Sequence, residues 1–252
     1  MSTLNTIDVV TTATLRPDLL DLTFASFMKK CLERVNNKRL IINIDPIGFN
    51  ATVEDVLAVG EKYFDQVVYR VPDQPSFSKA VQWGWSQVES DIFLHLEDDW
   101  FLRKKVALER VASYFEDDER LAGLTLNEKV NGSKLSKDFL ALRPTFFNKY
   151  FVQEALPLFD LRKDPEKQWR VHLKQGGELQ NWDFKFFGET YEGRHIFETG
   201  AAWRAAEGLD KKLHGDVGWL AREGQGAVGK RFSVEKYKWR MRLLRFLIPY
   251  SI

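Results

Sequence analysis

The chain has 252 residues, 44% of them hydrophobic and 29% charged, with a formal net charge of +1. This is the composition of an ordinary soluble globular protein, long enough for one large domain or two small ones, with one the better expectation. A lone cysteine, Cys31, excludes an internal disulfide and any multi-cysteine zinc site and fits a reducing compartment. The N-terminus carries no basic segment leading into an apolar core, and no run approaches about 18 apolar residues. The expectation is therefore a cytoplasmic chain without a spanning helix. Eight Trp and nineteen Phe suit either a stacking cleft or a well-filled core.

In chain order, Ile7 to Thr12 reads as a buried strand, and Leu19, Leu20, Leu22, Phe24, Phe27 and Met28 then fall at helical spacing. Arg39 to Asp45 is a second strand, closed by Pro46. Thr52 to Phe64 is a helix whose Thr52-Val-Glu-Asp opening has the form of a capping box. Gln66 to Val71 is a third strand, Ser76 to Gln87 a helix, and Asp91 to Leu96 a fourth strand. Leu102 to Phe115 reads as a helix, Leu121 to Leu126 as a short strand, and 127 to 138, with Asn131-Gly132, as a loop. A helical stretch runs from Asp164 to about Lys174, Gly176-Gly177 breaks it, Trp182 to Phe187 is ambiguous, and Arg194 to Gly200 reads as a last strand. Strands interleaved with helices predict an α/β fold on a central, mainly parallel sheet covered on both faces. In such sheets ligands sit at the carboxyl ends of the strands, which directs attention to Thr11 to Arg16, Asp45, Arg70 to Gln74 and Glu97 to Trp100.

Glu97-Asp98-Asp99 sets three consecutive carboxylates at the end of an apolar strand, where their repulsion requires positive charge nearby. A divalent cation, Mn²⁺ or Mg²⁺, answers that need, since it takes one or two carboxylates and completes its shell with water and phosphate oxygens. A solvated turn in which Asp99 caps the next helix answers it as well.

The ordered set Val9-Val-Thr-Thr-Ala-Thr-Leu-Arg-Pro-Asp-Leu-Leu, Thr23-Phe-Ala-Ser-Phe, Ile42-Asn-Ile-Asp45, Ser78-Lys-Ala-Val-Gln-Trp-Gly-Trp and Asp91-Ile-Phe-Leu-His-Leu-Glu-Asp-Asp resembles the nucleotide-binding half of GT-A glycosyltransferases, family 2 in particular. The resemblance spans about residues 7 to 126 and implies a single Rossmann-like GT-A domain using a nucleoside-diphosphate sugar as donor. It implies that Thr11, Thr12 and Arg16 line the nucleotide pocket, that Asp45 accepts from base or ribose, and that Ser78 and Lys79 open a helix facing the diphosphate. Asp98 would touch ribose and metal, Asp99 would be the main metal ligand, and Glu97 is a further metal candidate at which the sequence departs from the family's common Asp-X-Asp form by having Glu first. His214, in a Lys-rich segment, is a candidate further metal ligand, while His195 reads as structural. Lys211, Lys212 and Arg204 are candidates for the diphosphate or for solvated surface.

Inverting transfer needs a carboxylate base for the acceptor. Asp164-Pro165-Glu166 is the best match to the acidic motif that carries it in the family, with Glu166 the candidate and Glu178 and Asp183 as competitors; Asp-Pro-Glu is equally a helix cap. These expectations divide the chain into a catalytic domain over 1–228, with a donor-binding half to 126 and an acceptor-binding half from 127, and a basic tail over 229–252. In that tail Trp239, Leu243, Phe246 and Leu247 fall at helical spacing among Lys and Arg. Such a helix packs on the body, contacts an anionic membrane surface or contacts nucleic-acid phosphate. The acceptor is correspondingly a surface glycan or lipid-linked sugar, or a modified base in DNA. A nucleotidyltransferase acting on sugar phosphates would carry a Gly-rich loop after the first strand, and Thr11 to Arg16 has no Gly. A non-catalytic sugar-binding module is the remaining alternative.

Overall fold

The computed structural model describes residues 4–48, 50–126, 140, 142–188, 192–211, 219–221 and 227–248. Strand β1 (Thr6–Thr14) leads through Arg16 into α1 (Pro17–Phe27), where a proline in the first turn forfeits no helical hydrogen bond. The helix buries Leu19, Leu20, Leu22, Phe24 and Phe27, the spacing legible in the sequence, and ends in a π-helical turn, Met28–Leu32. Strand β2 (Asn37–Asp45) is followed by α2 (Val53–Tyr63), whose start is the expected capping box between Thr52 and Asp55. Strand β3 (Gln66–Arg70), helix α3 (Phe77–Ser86), capped by Ser76, and strand β4 (Ile92–His95) complete the regular half.

Beyond Asp99 the chain departs from expectation. Trp100 to Leu102 forms strand β5 (Trp100–Leu102), and helix α4 (Leu108–Glu116) starts six residues later than the periodicity predicts. All three β5 residues are buried, which a surface helix's first turn would not achieve. Strands β6 (Leu121–Leu126) and β7 (Thr145–Asn148) and helix α5 (Lys149–Ala155) come next, then a 3₁₀ turn, Leu156–Leu158. The helix expected from Asp164 to Lys174 is instead a 3₁₀ turn, Lys167–Trp169, leading into the short α6 (Arg170–Leu173). The ambiguous segment is strand β8 (Asp183–Phe187). The expected last strand shortens to β9 (Ile196–Glu198), because Gly200 already opens α7 (Gly200–Glu207). Strands β10 (Leu209–Lys211) and β11 (Trp219–Ala221) pair with each other, and α8 (Ala227–Leu247) closes the chain. The expected loop at 127–138 lies outside the described residues.

Seven strands form one sheet in the order β3-β2-β1-β4-β7-β6-β8. β7 runs antiparallel to both neighbours and the other pairings are parallel, giving the mixed, mainly parallel sheet that was expected. Since β7 and β8 come from after residue 126, the sheet itself ties the first half of the chain to the second. One apolar cluster fills each face, around Ile7, Val9, Leu40 and Phe146 on one side and Val10, Trp85, Phe147 and Trp169 on the other. α3 lies so close to the sheet that a Cβ on Gly84 would stand 2.6 Å from Val10 Cγ1. A third cluster joins α1, β5, α7 and α8 through Leu19, Leu22, Phe101, Trp203, Met241 and Leu244.

Candidate active site

The parallel strands bring Thr14, Asp45, Arg70, His95 and Leu126 to one edge of the sheet, the carboxyl edge on which α/β proteins bind ligands. Two residues past β1, Arg16 turns back under β4's exit loop and meets Asp98 and Asp99. Its Nε donates to Asp98 Oδ2 at 2.7 Å, and its Nη2 donates to Asp98 Oδ1 and, at 3.1 Å, to Asp99 Oδ2. The Thr14 amide adds a third bond to Asp98 Oδ2, at 3.0 Å. All three charged residues are buried, Arg16 to 6%, Asp98 to 1% and Asp99 to 7% exposure, and the guanidinium carbon sits 5.2 Å from the Trp203 ring centre.

The backbone of the acid pair is equally fixed. Thr23 Oγ1 on α1 donates to the Asp98 carbonyl at 3.0 Å, and the Asp98 amide donates to the Thr12 carbonyl at 3.3 Å. The amide and hydroxyl of Thr199 both donate to the Asp99 carbonyl, each at 2.7 Å. α7 therefore begins against Asp99. A Cβ on Gly200 would collide with Asp99 Oδ2 and stand 3.0 Å from Arg16 Nη1, so only glycine fits this approach. From the next turn of α7, Arg204 places Nη1 3.9 Å from Asp99 Oδ2 and Nη2 2.7 Å from Glu198 Oε1.

Burial, with the neighbouring Asp99 charge, raises the Asp98 carboxyl above the ordinary range against the opposing pull of Arg16. Burial also works against the Arg16 charge, but Asp98, Asp99 and Glu97 outweigh it and hold the guanidinium firmly protonated. Arg16 is hydrogen-bonded to both carboxylates, whereas Arg204, shared with Glu198, reaches Asp99 at the longer 3.9 Å. Beside them opens a cleft of about 750 Å³, lined among others by Arg16, Asp18, Asn50, Asp55, Trp203 and Tyr237. A second hollow, of about 830 Å³, lies at the amino edge of the sheet, where Arg39 clamps the buried Asp8 through Nε at 2.8 Å and Nη2 at 2.9 Å. That pairing, with the Ser90 and Glu89 amides, outweighs burial and lowers the Asp8 carboxyl; it is a structural clamp at the wrong edge for a ligand.

The remaining sequence candidates fall into three groups. Thr12 and Asp45 stand at the carboxyl edge, Asp45 accepting from Asn43 Nδ2 at 2.8 Å. Thr11 is buried within β1 opposite Ile42, and Ser78 is fully buried with its Oγ donating to the Lys163 carbonyl at 2.6 Å. Neither presents its hydroxyl to the cleft, because each packs inside the sheet sandwich; Lys79 is exposed on α3. Glu97 accepts from Trp100 Nε1 at 3.0 Å.

Among the candidate bases, Glu166 Oε1 accepts from the Leu142 amide at 2.8 Å. Thr145 pairs with His95, so Leu142, three residues before it, lies beyond the carboxyl end of β4, and Glu166 is held at that edge beside the cluster of Trp85 and Trp169 rather than among the residues lining the cleft. Asp183 is at the other edge: it opens β8 opposite Leu121, the first residue of β6, so strand direction carries it away from Asp98. Glu178, five residues earlier, is solvent-exposed and pairs with His172 Nδ1 at 2.8 Å. His195 is buried against the Phe187 ring, and burial lowers its pKa, as befits a structural histidine. His214 and Lys212 lie outside the described residues. Among the described residues no group of three or more His, Cys, Asp or Glu converges on a metal position.

The sequence pattern brings Arg16 to this edge but not to the acid pair, and it does not single out Thr23, Thr199, Gly200 or Trp203. Thr199-Gly200 at the head of an Ala-rich stretch is the available signal for a helix start.

No protein-family model and no curated protein matches the sequence. Solved structures do match in shape. The mannosyltransferase PcManGT from Pyrobaculum calidifontis, solved with GDP-Man and Mn²⁺, superposes with a TM-score of 0.55 at 7% identity, over 73% of this chain and 55% of that one. S. aureus TarS matches at 0.50 and 10% identity, over 73% of this chain and 35% of that one. The TarS 1–349 structure matches at 0.52 and 12% identity, over 82% of this chain and 67% of that one. This chain thus spans about half the length of the mannosyltransferase and a third of TarS. These likenesses, with the sheet order and the mixed strand directions, give the chain the GT-A glycosyltransferase fold.

Proposed function

We propose that this protein transfers a glycosyl group from a nucleoside-diphosphate sugar to a hydroxyl acceptor. The observation that carries the reading is the buried Asp98–Asp99 pair, held at the carboxyl edge of a GT-A sheet beside an open cleft. In the reaction the bond from the anomeric carbon to the diphosphate oxygen breaks as the acceptor oxygen bonds to that carbon. The nucleoside diphosphate departs with the electron pair, and the acceptor proton passes to a base.

Asp45, the last residue of β2, and Thr12, two residues before the end of β1, are suited to the nucleoside, and Arg204 to the diphosphate. Asp98 has both oxygens engaged by Arg16, so its part is to hold Arg16 and the cleft wall in place. Asp99 is differently situated: Arg16 and, at 3.9 Å, Arg204 both approach it through Oδ2. A divalent cation arriving with the donor fits Asp99, because Mg²⁺ and Mn²⁺ need only one or two carboxylates when phosphate oxygens and water complete the shell. Asp99 would there present a cation able to neutralise charge on the leaving diphosphate. Glu166, at the carboxyl edge of the sheet, is the residue we assign as base in an inverting transfer, and Glu166→Gln is expected to lower kcat about 100-fold or more while leaving donor binding intact.

Calorimetry with UDP and GDP, each with and without Mn²⁺, tests the assignment. Binding of one nucleotide, tightened by Mn²⁺ and losing that Mn²⁺ dependence in Asp99→Ala, is the expected result. No binding by either nucleotide under any condition would remove the transferase reading and leave a sugar-binding module. Turnover of a sugar phosphate with a nucleoside triphosphate would favour a nucleotidyltransferase instead.

A further inference from the structure

Helix α8 carries two apolar faces. Tyr237, Met241, Leu244 and Ile248 turn inward onto Leu19, Leu22, Phe101 and Trp203. Trp239, Leu243, Phe246 and Leu247, the residues whose spacing stands out in the sequence, are not the packed face; they are exposed to 65%, 42%, 62% and 42%. At about 100° per residue, positions 239, 243 and 246 lie opposite the seam of Met241 and Leu244. Exposed Lys236 and Arg242 flank this outward strip, and Lys238 and Arg245 stand further round. Glu235 is the single acid from Lys230 to Ile248, against seven Lys and Arg.

We propose that this outward face of α8 docks on an anionic membrane surface, with Trp239 and Leu243 entering the headgroup boundary and Lys236 and Arg242 meeting lipid phosphates. A Trp-, Leu- and Phe-centred strip with cations at its edges is the pattern of an interfacial helix, whose apolar residues enter the boundary while Lys and Arg stems reach up to the headgroups. Nucleic-acid phosphate calls for the reverse, with cations at the centre of the contact and no use for exposed aliphatic side chains. Among the described residues no helix is long and apolar enough to cross a membrane, so the contact is a surface one. α8 packs on α7, whose first residue abuts Asp99, so docking would bring the candidate site within one helix of the lipid and favour an acceptor carried on a lipid. The docking itself does not depend on the transferase reading.

Co-sedimentation of the full chain with phosphatidylcholine vesicles, with and without phosphatidylglycerol, tests it. The protein is expected to pellet with the anionic vesicles and to be released in part by high salt. Trp239→Ser/Leu243→Ser is expected to weaken partitioning about tenfold or more, with its circular dichroism unchanged, since both side chains are outside the core. Lys236→Glu/Arg242→Glu is expected to weaken it on anionic vesicles alone. A wild-type chain that stays in the supernatant, a serine variant that pellets as well as wild type, or a chain that prefers duplex DNA to anionic vesicles would overturn the proposal.

Discussion

Arg16 and Asp98 are 82 positions apart in sequence, and their contact is the central fact of the candidate site. Adjacent carboxylates at a strand end do require a cation here, and the first one to answer is a guanidinium supplied by β1's exit loop. Spacing does not reveal this, because only the parallel register of β1 and β4, with Val10 beside His95, brings the two loops together. Arg16→Ala leaves buried Asp98 without its guanidinium partner and Asp99 with Arg204 at 3.9 Å, and is expected to cost about 3–5 kcal/mol, read as a lowered denaturant midpoint. Arg16→Lys keeps the charge but loses the fork, and should fall between the two. His95, at the end of β4, tests burial alone. It is fully buried between Trp85 and Phe147, and neither ring nitrogen has a partner among the described residues. Burial pulls its pKa down from 6.5 to about 3. The unfolded chain therefore binds a proton below about pH 6.5 that the folded chain refuses, and stability falls as pH drops from there toward 3. In His95→Leu that part of the acid loss should vanish, which parallel denaturation curves at several pH values would reveal.

The elements legible in the sequence are those whose signals are local. α2 declares itself by Thr52 and Asp55, and α1 by its apolar spacing. β5 and α7 are not local: Trp100 to Leu102 becomes a strand only because Ile196 to Glu198 arrives beside it, and that pairing delivers Thr199 and Gly200 to Asp99. The same long-range placement rejects Asp183, which reads as an acid of the right kind but opens its strand at the far edge. α7 is thus an element whose first residue has no room for a side chain. Gly200→Ala forces a methyl group onto Asp99 Oδ2 and must displace either the helix or the carboxylate. The expected cost is about 1–3 kcal/mol in stability, and the same displacement should weaken Mn²⁺-dependent nucleotide binding. An alanine variant with unchanged melting temperature and unchanged nucleotide affinity would mean that α7 does not fix Asp99.

At the scale of the whole molecule, one sheet spans both of the halves anticipated from the motifs, and the C-terminal helix is bound into the same body. The sequence division at about 228 marks a change in charge; the packing runs across it. Met241 and Leu244 are buried against Leu19 and Leu22 of α1, Phe101 of β5 and Trp203 of α7, so α8 braces the wall that carries Arg16's aromatic neighbour. If α8 were an appendage, trimming its inward face would loosen that helix and leave the rest of the fold unchanged. If it is part of one cooperative unit, Leu244→Ala should lower global stability by about 2–5 kcal/mol, the range for deleting a buried leucine side chain. The two cases separate in a denaturant titration followed by far-ultraviolet circular dichroism and by Trp fluorescence. Coincident transitions, both shifted by Leu244→Ala, are expected of a single unit. An early helical loss in the variant, followed by an unshifted main transition, would instead separate α8 from the body and uncouple the outward Trp239 face from the cleft.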